Sequence, residues 1–171
     1  EFPIRIKRPD KNGELKVSWD WVPHDWVNNM DFYDLEHWSD HELMNGDVKK
    51  EVEYINKSLD DFLEKHGYKR NGMMYEAVKA NNDTIVFFCH FAVTAVMLAH
   101  LLNISPMVAW HAFCAAPTSV TTVNTEERRK GEAVFRMASY GDVSHLYAFD
   151  QEPAFAARFC ECFDNVNERH D

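Results

Sequence analysis

Thr84-Ile85-Val86-Phe87-Phe88-Cys89-His90 is the stretch of this chain that decides its fold class. Its unbroken run of β-branched, aromatic and apolar residues predicts a strand covered on both faces in a parallel sheet, with His90 standing at its carboxyl end. Phe91 to Asn103 then reads as a buried helix, Ser105 can cap a further helix over Pro106 to Phe113, and Ser119 to Thr125 alternates toward a second strand. Strand, helix and strand make a βαβ unit, so the expected class is α/β. In open α/β sheets ligands bind outside the carboxyl ends of the strands, where the next helix presents free backbone amides and the positive end of its dipole. His90 occupies that place. Protonated, its imidazole is a cationic donor beside the amides of Phe91 and Ala92, an arrangement suited to a phosphate; the competing reading is a core histidine satisfied by backbone.

Working outward, a charged turn over Glu126 to Gly131 leads into Glu132 to Ser139, which predicts an antiparallel partner, and Phe155, Phe159 and Phe163 mark a C-terminal helix. Upstream, Val48, Val52, Ile55, Leu59, Phe62 and Leu63 recur at steps of mostly three and four, predicting an amphipathic helix from Asp47, its cap, to His66, with Gly67 ending it. Tyr68 to Val78 carries Asn71-Gly72 between two short extended stretches, a hairpin signal. Residues 1 to 46 are irregular, with Trp19, Trp21, Trp26 and Trp38 unevenly spaced; Asp25 to Asn29 and Asp34 to Leu43 are candidates for short helices.

At 171 residues, with 46% hydrophobic and 13% aromatic residues, the chain fits one domain with a sizeable core and excludes general disorder. Its net charge of -10 has the wrong sign for gripping nucleic acid or an anionic membrane, so an anionic substrate requires a local positive site. No apolar run approaches the roughly 18 to 20 residues of a membrane span. Cys89, Cys114, Cys160 and Cys162 form neither a disulfide framework nor a paired zinc pattern, which favours a cytoplasmic setting. The first residues lack a secretory pattern and an initiating Met, the expected appearance of an internal or processed piece.

Thr84 to His90 with its following helix, Ala116-Pro117-Thr118-Ser119-Val120-Thr121, and Gly141-Asp142-Val143-Ser144-His145-Leu146 together resemble the C-terminal half of the histidine phosphatase superfamily, in its phosphoglycerate-mutase-like branch. The resemblance covers about residues 47 to 147, and the aromatic segment before them is similar to an insertion of one bacterial branch. It implies a single domain over 1–171 with 1–46 as a Trp-rich inserted loop or lid. The implied fold is a three-layer α/β/α sandwich with a mostly parallel central sheet, lacking its N-terminal strand in this chain. The implied activity is metal-independent hydrolysis of a small phosphomonoester through a phosphohistidine, with no cofactor, nucleic acid or membrane involved. His90 matches the second catalytic histidine of such enzymes, and Glu1 falls where their general acid commonly lies. The nucleophile belongs to an Arg-His-Gly motif, and these 171 residues contain none. The expectation is therefore that the first strand is supplied by a missing N-terminal segment and that the isolated chain is inactive; the alternative is a noncatalytic remnant that binds a phosphorylated ligand or a protein partner.

Other residues offer chemistry of their own. Arg5, Lys7 and Arg8 cluster in an acidic chain, and Arg5 is a candidate phosphate contact, against the plainer role of neutralising nearby acids. His145 is a further phosphate-binding candidate, with a structural hydrogen-bonding role as the rival. Arg128, Arg129 and Lys130 read as a solvated turn. His37 and His41, four apart, have the spacing of two metal ligands on a helix, but a solvated polar helix explains them equally. Val17 to Glu42 contains no Arg and no Lys but seven acidic residues, a cover suited to a monophosphate and hostile to the second phosphate of a bisphosphoglycerate, so hydrolysis is expected and mutase chemistry is not.

Overall fold

The three- and four-residue spacing around Leu59 does what it predicts: α2 (Val48–Lys65) buries Val48, Val52, Leu59 and Leu63. Asp47 stands at its N-cap without a side-chain capping bond, its carbonyl accepting from Glu51 N. Gly67, at φ +90°, ends the helix, its amide donating to the Glu64 carbonyl. The chain reverses into β3 (Tyr68–Asn71) and β4 (Met74–Ala77), paired antiparallel with Asn71 opposite Met74. The two turn residues are therefore Gly72 and Met73, and Gly72, at φ +60°, meets the demand of a type II′ hairpin for glycine first. Here the expected Asn71-Gly72 pair is shifted by one residue.

The computed structural model describes residues 5–8, 14–42, 44 and 47–154. Besides α2 to β4 these form a small hairpin, β1 (Arg5–Arg8) on β2 (Glu14–Val17), a one-turn helix α1 (Pro23–Trp26), α3 (Phe91–Leu102), α4 (Pro106–Ala112), the long hairpin β5 (Val120–Arg129) and β6 (Glu132–Asp142), and a single turn α5 (Ser144–Tyr147). The main sheet has four strands in the order β3-β4-β6-β5, every pair antiparallel. Helices and sheet make the protein mixed α/β. α2 packs on β3 and α3 packs on both α2 and β6, so the helices cover the sheet. Ser105 caps α4 as expected, accepting from Met107 N at 3.1 Å, and also donates to the Phe32 carbonyl at 2.5 Å.

The Trp-rich segment packs down. Trp21, Trp26, Trp38 and Phe32 are buried in one core with Val48, Val96 and Trp110, and the Trp38 and Trp110 rings meet edge to face at 6.0 Å. The two helices expected there are displaced. The first is α1, beginning two residues early on Pro23; a 3₁₀ turn follows over Met30–Tyr33; and 34–42 forms no helix because Asp34 Oδ1 takes the amides of Glu36 and His37, an Asx turn that competes with helix. The expected helix around Phe155, Phe159 and Phe163, and with it Cys160 and Cys162, lies outside the described residues, as does Glu1.

The largest departure concerns 84–89. The run has no helix, turn or bend and no ladder partner among the described residues, and Val86, Phe87 and Phe88 are 67%, 50% and 96% exposed. Exposure still follows a two-residue step, since Ile85 is partly buried and Phe87 packs edge to face on Phe62 of α2 at 5.5 Å, while Val86 and Phe88 face away. The expected second strand is present as β5, ten residues long, but its ladder is antiparallel to β6. The parallel pairing of a βαβ unit is absent among the described residues because the two strands that would flank it do not meet.

Candidate functional site

A trough of about 2240 Å³ opens between residues 84–90 and the outer edge of β5. Leu59 and Leu63 of α2 with Met97, Leu98 and Leu101 of α3 contribute an apolar lining, and the Trp-rich segment adds Trp21 and Trp26.

His90 sits on this lining as the N-cap of α3, with extended backbone (φ -99°, ψ 160°). Its carbonyl accepts from Thr94 N and from Thr94 Oγ1, both at 3.0 Å, and Thr94 Oγ1 also lies 3.1 Å from Cys89 Sγ, so the residue's place is held by main chain while its side chain stays exposed. Two other histidines line the trough, and each has a partner. His66 Nδ1 lies 3.8 Å from Asp83 Oδ2; His111 Nδ1 donates to the Met107 carbonyl at 2.8 Å, leaving Nε2 to accept from Trp21 N at 3.3 Å. The His90 ring has no hydrogen-bond partner among the described residues. Phe91 lines the trough; Ala92 is 2% exposed and does not, although its amide is one of the first-turn groups that α-helical geometry leaves without an intrahelical acceptor.

The remaining candidates are dispersed. His145 lies in α5, exposed and not on the trough, where the block around it serves as a helix start: Asp142 Oδ1 accepts from Ser144 N at 2.7 Å, a bond that, with Ser144's hydroxyl and the nearby His145, holds the Asp142 carboxyl below the usual carboxylate range. Arg5 pairs across β1–β2 with Val17. His37 is bound to Asp34 at 2.9 Å and His41 packs on the Phe32 and Trp21 rings, and no group of three metal-ligating side chains exists among the described residues.

Two features escaped the sequence reading. Thr118, in the Ala116–Thr121 block on the trough, has φ +66°, a conformation that costs a β-branched residue on the order of 1 kcal/mol or more. Where α2, α3 and the β3–β4 hairpin meet, Tyr75 donates to Asp60 Oδ1 at 2.8 Å, Arg70 donates to Tyr75 Oη at 3.0 Å and to the His100 carbonyl at 3.2 Å, and His100 Nε2 lies 2.9 Å from Asp60 Oδ1. Burial works to raise the Asp60 carboxyl, but His100, Tyr75 and Arg70 outweigh it and hold the carboxyl below its ordinary value. The same burial and the Asp60 charge push the Tyr75 hydroxyl well up. Thr118 had no sequence signal, and the four polar residues are brought together only by tertiary packing. No family model, curated protein or solved structure matches this chain.

Proposed function

We propose that this chain supplies the phosphate-binding part of a metal-independent histidine phosphatase, active once a segment bearing the nucleophilic histidine completes it. The observation that carries this reading is His90: an exposed imidazole without a partner among the described residues, at the end of an apolar run and at the start of a buried helix, on the rim of a large trough. In the reaction, the completing segment's histidine attacks phosphorus, the P–O bond to the alcohol breaks, and the alkoxide takes a proton from an acid. Water then cleaves the P–N bond, releasing inorganic phosphate and the free histidine. Protonated His90 and the α3 amides stabilise the equatorial oxygens through both steps. Trp21 and Asp20, both on the trough, fit the reading of a neutral or apolar monoester as substrate.

The alternative is a noncatalytic binder of phosphorylated ligands using the same rim; it is favoured by the lack of an Arg-His-Gly motif in the 171 residues. One pair of measurements separates them. Inorganic phosphate titrated into the 171-residue chain should move the His90 ring and Phe91 amide resonances; absence of any shift removes both readings. A longer polypeptide or a two-fragment mixture containing the nucleophilic segment should then hydrolyse an aryl phosphate in the presence of a chelator and trap an acid-labile phosphohistidine. Phosphate binding without such turnover leaves the binder.

A further inference from the structure

We infer that the turn Met30–Tyr33 is a docking surface for a short basic amphipathic helix of another polypeptide, its apolar stripe resting on Met30, Tyr33 and Val27 and its lysines or arginines facing Asp31 and Glu36. The inference goes beyond the proposed function and does not depend on phosphate binding at His90.

The turn is a fixed platform. Phe32 is fully buried and its carbonyl accepts from Ser105 Oγ at 2.5 Å, while Met30 is 73% exposed. Residues three apart eclipse on one face of a 3₁₀ turn, so Met30 and Tyr33 share a face. Tyr33 Oη reaches back to donate to the Val27 carbonyl at 3.1 Å, which brings Val27, also exposed, beside Tyr33. Single exposed apolar side chains are ordinary, but a contiguous set on a turn held by hydrogen bonds presents apolar area at little cost in ordering, and methionine adapts its shape to a partner.

Main chain and charge narrow the occupant. The Trp26 carbonyl accepts from Asn29 N, the Asn29 carbonyl from Phe32 N and the Asp31 carbonyl from Asp34 N, and Asp31 N donates to Asn29 Oδ1. With the Val27 and Phe32 carbonyls also taken, the platform offers no row of free groups to an extended strand. Recognition must run through side chains, and the occupant that satisfies its own main chain is a helix. The charge around the apolar residues has one sign, since Val17 to Glu42 contains no Lys and no Arg. Asp34 spends Oδ1 on the Glu36 and His37 amides and on the His37 ring, and Asp40 has Lys49 at 4.0 Å. Asp31 and Glu36 are exposed, and their carboxylates have no hydrogen bond or ion pair among the described residues. Basic residues flanking an apolar stripe find their complement there, whereas an anionic membrane or a nucleic acid would be repelled.

The test is a nuclear magnetic resonance titration of the full 171-residue chain at physiological ionic strength. The probe is a synthetic peptide of two repeats of Leu-Ala-Lys-Lys-Leu-Ala-Lys, which carries its leucines on one helical face, beside a peptide of the same composition scrambled to spread them. The first peptide should shift the Met30 methyl and the Asp31 and Tyr33 amides, and bind about tenfold more tightly than the second. Met30→Ser should weaken it about tenfold and Met30→Leu by no more than about twofold, with the far-ultraviolet circular dichroism of the chain unchanged in both. Asp31→Asn combined with Glu36→Gln should weaken it and flatten its salt dependence. Equal binding of the two peptides, or binding indifferent to Met30→Ser, would reduce the contact to the net charge of the chain and overturn the inference. Shifts confined to other residues would put the site elsewhere, shifts at Met30 that grow with chain concentration alone would make a second copy the occupant, and Met30-dependent capture by phosphatidylcholine vesicles would make it a lipid surface; each overturns it. Phosphate titration at His90 is read separately, so this inference and the phosphatase reading fail independently.

Discussion

Two regions that both rest on α2 and α3 are built on opposite terms. In one, α2, the β3–β4 hairpin and α3 close around Tyr75, 2% exposed, and the polar groups that enter are paired with one another: Asp60 with Tyr75 and His100, Arg70 with Tyr75, the His100 carbonyl and Asn103. In the other, 84–90 and β5 line the trough, and Val86, Phe87, Phe88 and Val120 leave apolar surface exposed. The difference teaches where stability and function reside in this molecule. The closed region is held by its own packing, whereas the open one leaves apolar surface exposed, so on the function proposed above substitutions in the two should separate into those that unfold the protein and those that silence it.

The largest effect is expected on the open side and in turnover alone. His90→Ala in the completed phosphatase should lower turnover by about 100-fold to 1000-fold, the scale of one preorganised donor to a developing oxyanion, while the urea midpoint stays unchanged. A variant within a few-fold of the parent would mean that another group faces the phosphoryl oxygens. On the closed side, Asp60→Asn should cost about 2–4 kcal/mol of stability in urea unfolding, because it removes a charge-assisted acceptor and leaves Arg70 and Tyr75 poorly matched. The pH dependence has a definite sign. Asp60's carboxyl is held below its ordinary value in the folded state, so its contribution is fully present above the unfolded pKa of about 3.9 and fades as pH falls through the lower folded value. The parent should thus lose stability more steeply than Asp60→Asn below pH of about 4.

Gly67→Ala sharpens the same side. A Cβ at Gly67 would collide with the Lys79 carbonyl oxygen, and φ is +90°, so a loss of about 2 kcal/mol or more is expected; Gly72→Ala, with the same sign of φ but open space, should cost only about 1 kcal/mol. Equal losses at the two glycines would show that backbone conformation, not the close approach to Lys79, governs both. The smallest effect belongs to Phe88→Lys. At 96% exposed, Phe88 should tolerate it within about 0.5 kcal/mol, with less self-association of the chain; a clear destabilisation would mean that 84–89 is already paired.

What could be read from the chain follows the same division. α2, the hairpin turn and the Ser105 cap are local: spacing at Val48, Val52, Leu59 and Leu63, a glycine at φ +60°, and a hydroxyl two residues from the amide it accepts. Composition predicts a strand at 84–89, but the run forms none, since ladder partners are a property of distant segments and no described segment meets it. His90 was legible because its place depends only on what adjoins it, the apolar run before and the helix after. The Asp60 network joins residues up to 40 apart in sequence, and none of the four has a neighbour that announces the others.

The Trp110 indole donates to the Ala92 carbonyl at 3.1 Å, tying a buried fluorophore to the first turn of α3 two residues from His90. Indole emission is sensitive to the hydrogen bond and the local field at its N–H, and the nearby edge-on Trp38 couples to it in the near-ultraviolet. A displacement of the first turn of α3 would move that carbonyl and so change the bond. Indole emission, followed without an added dye, would therefore respond to a shift at the start of α3.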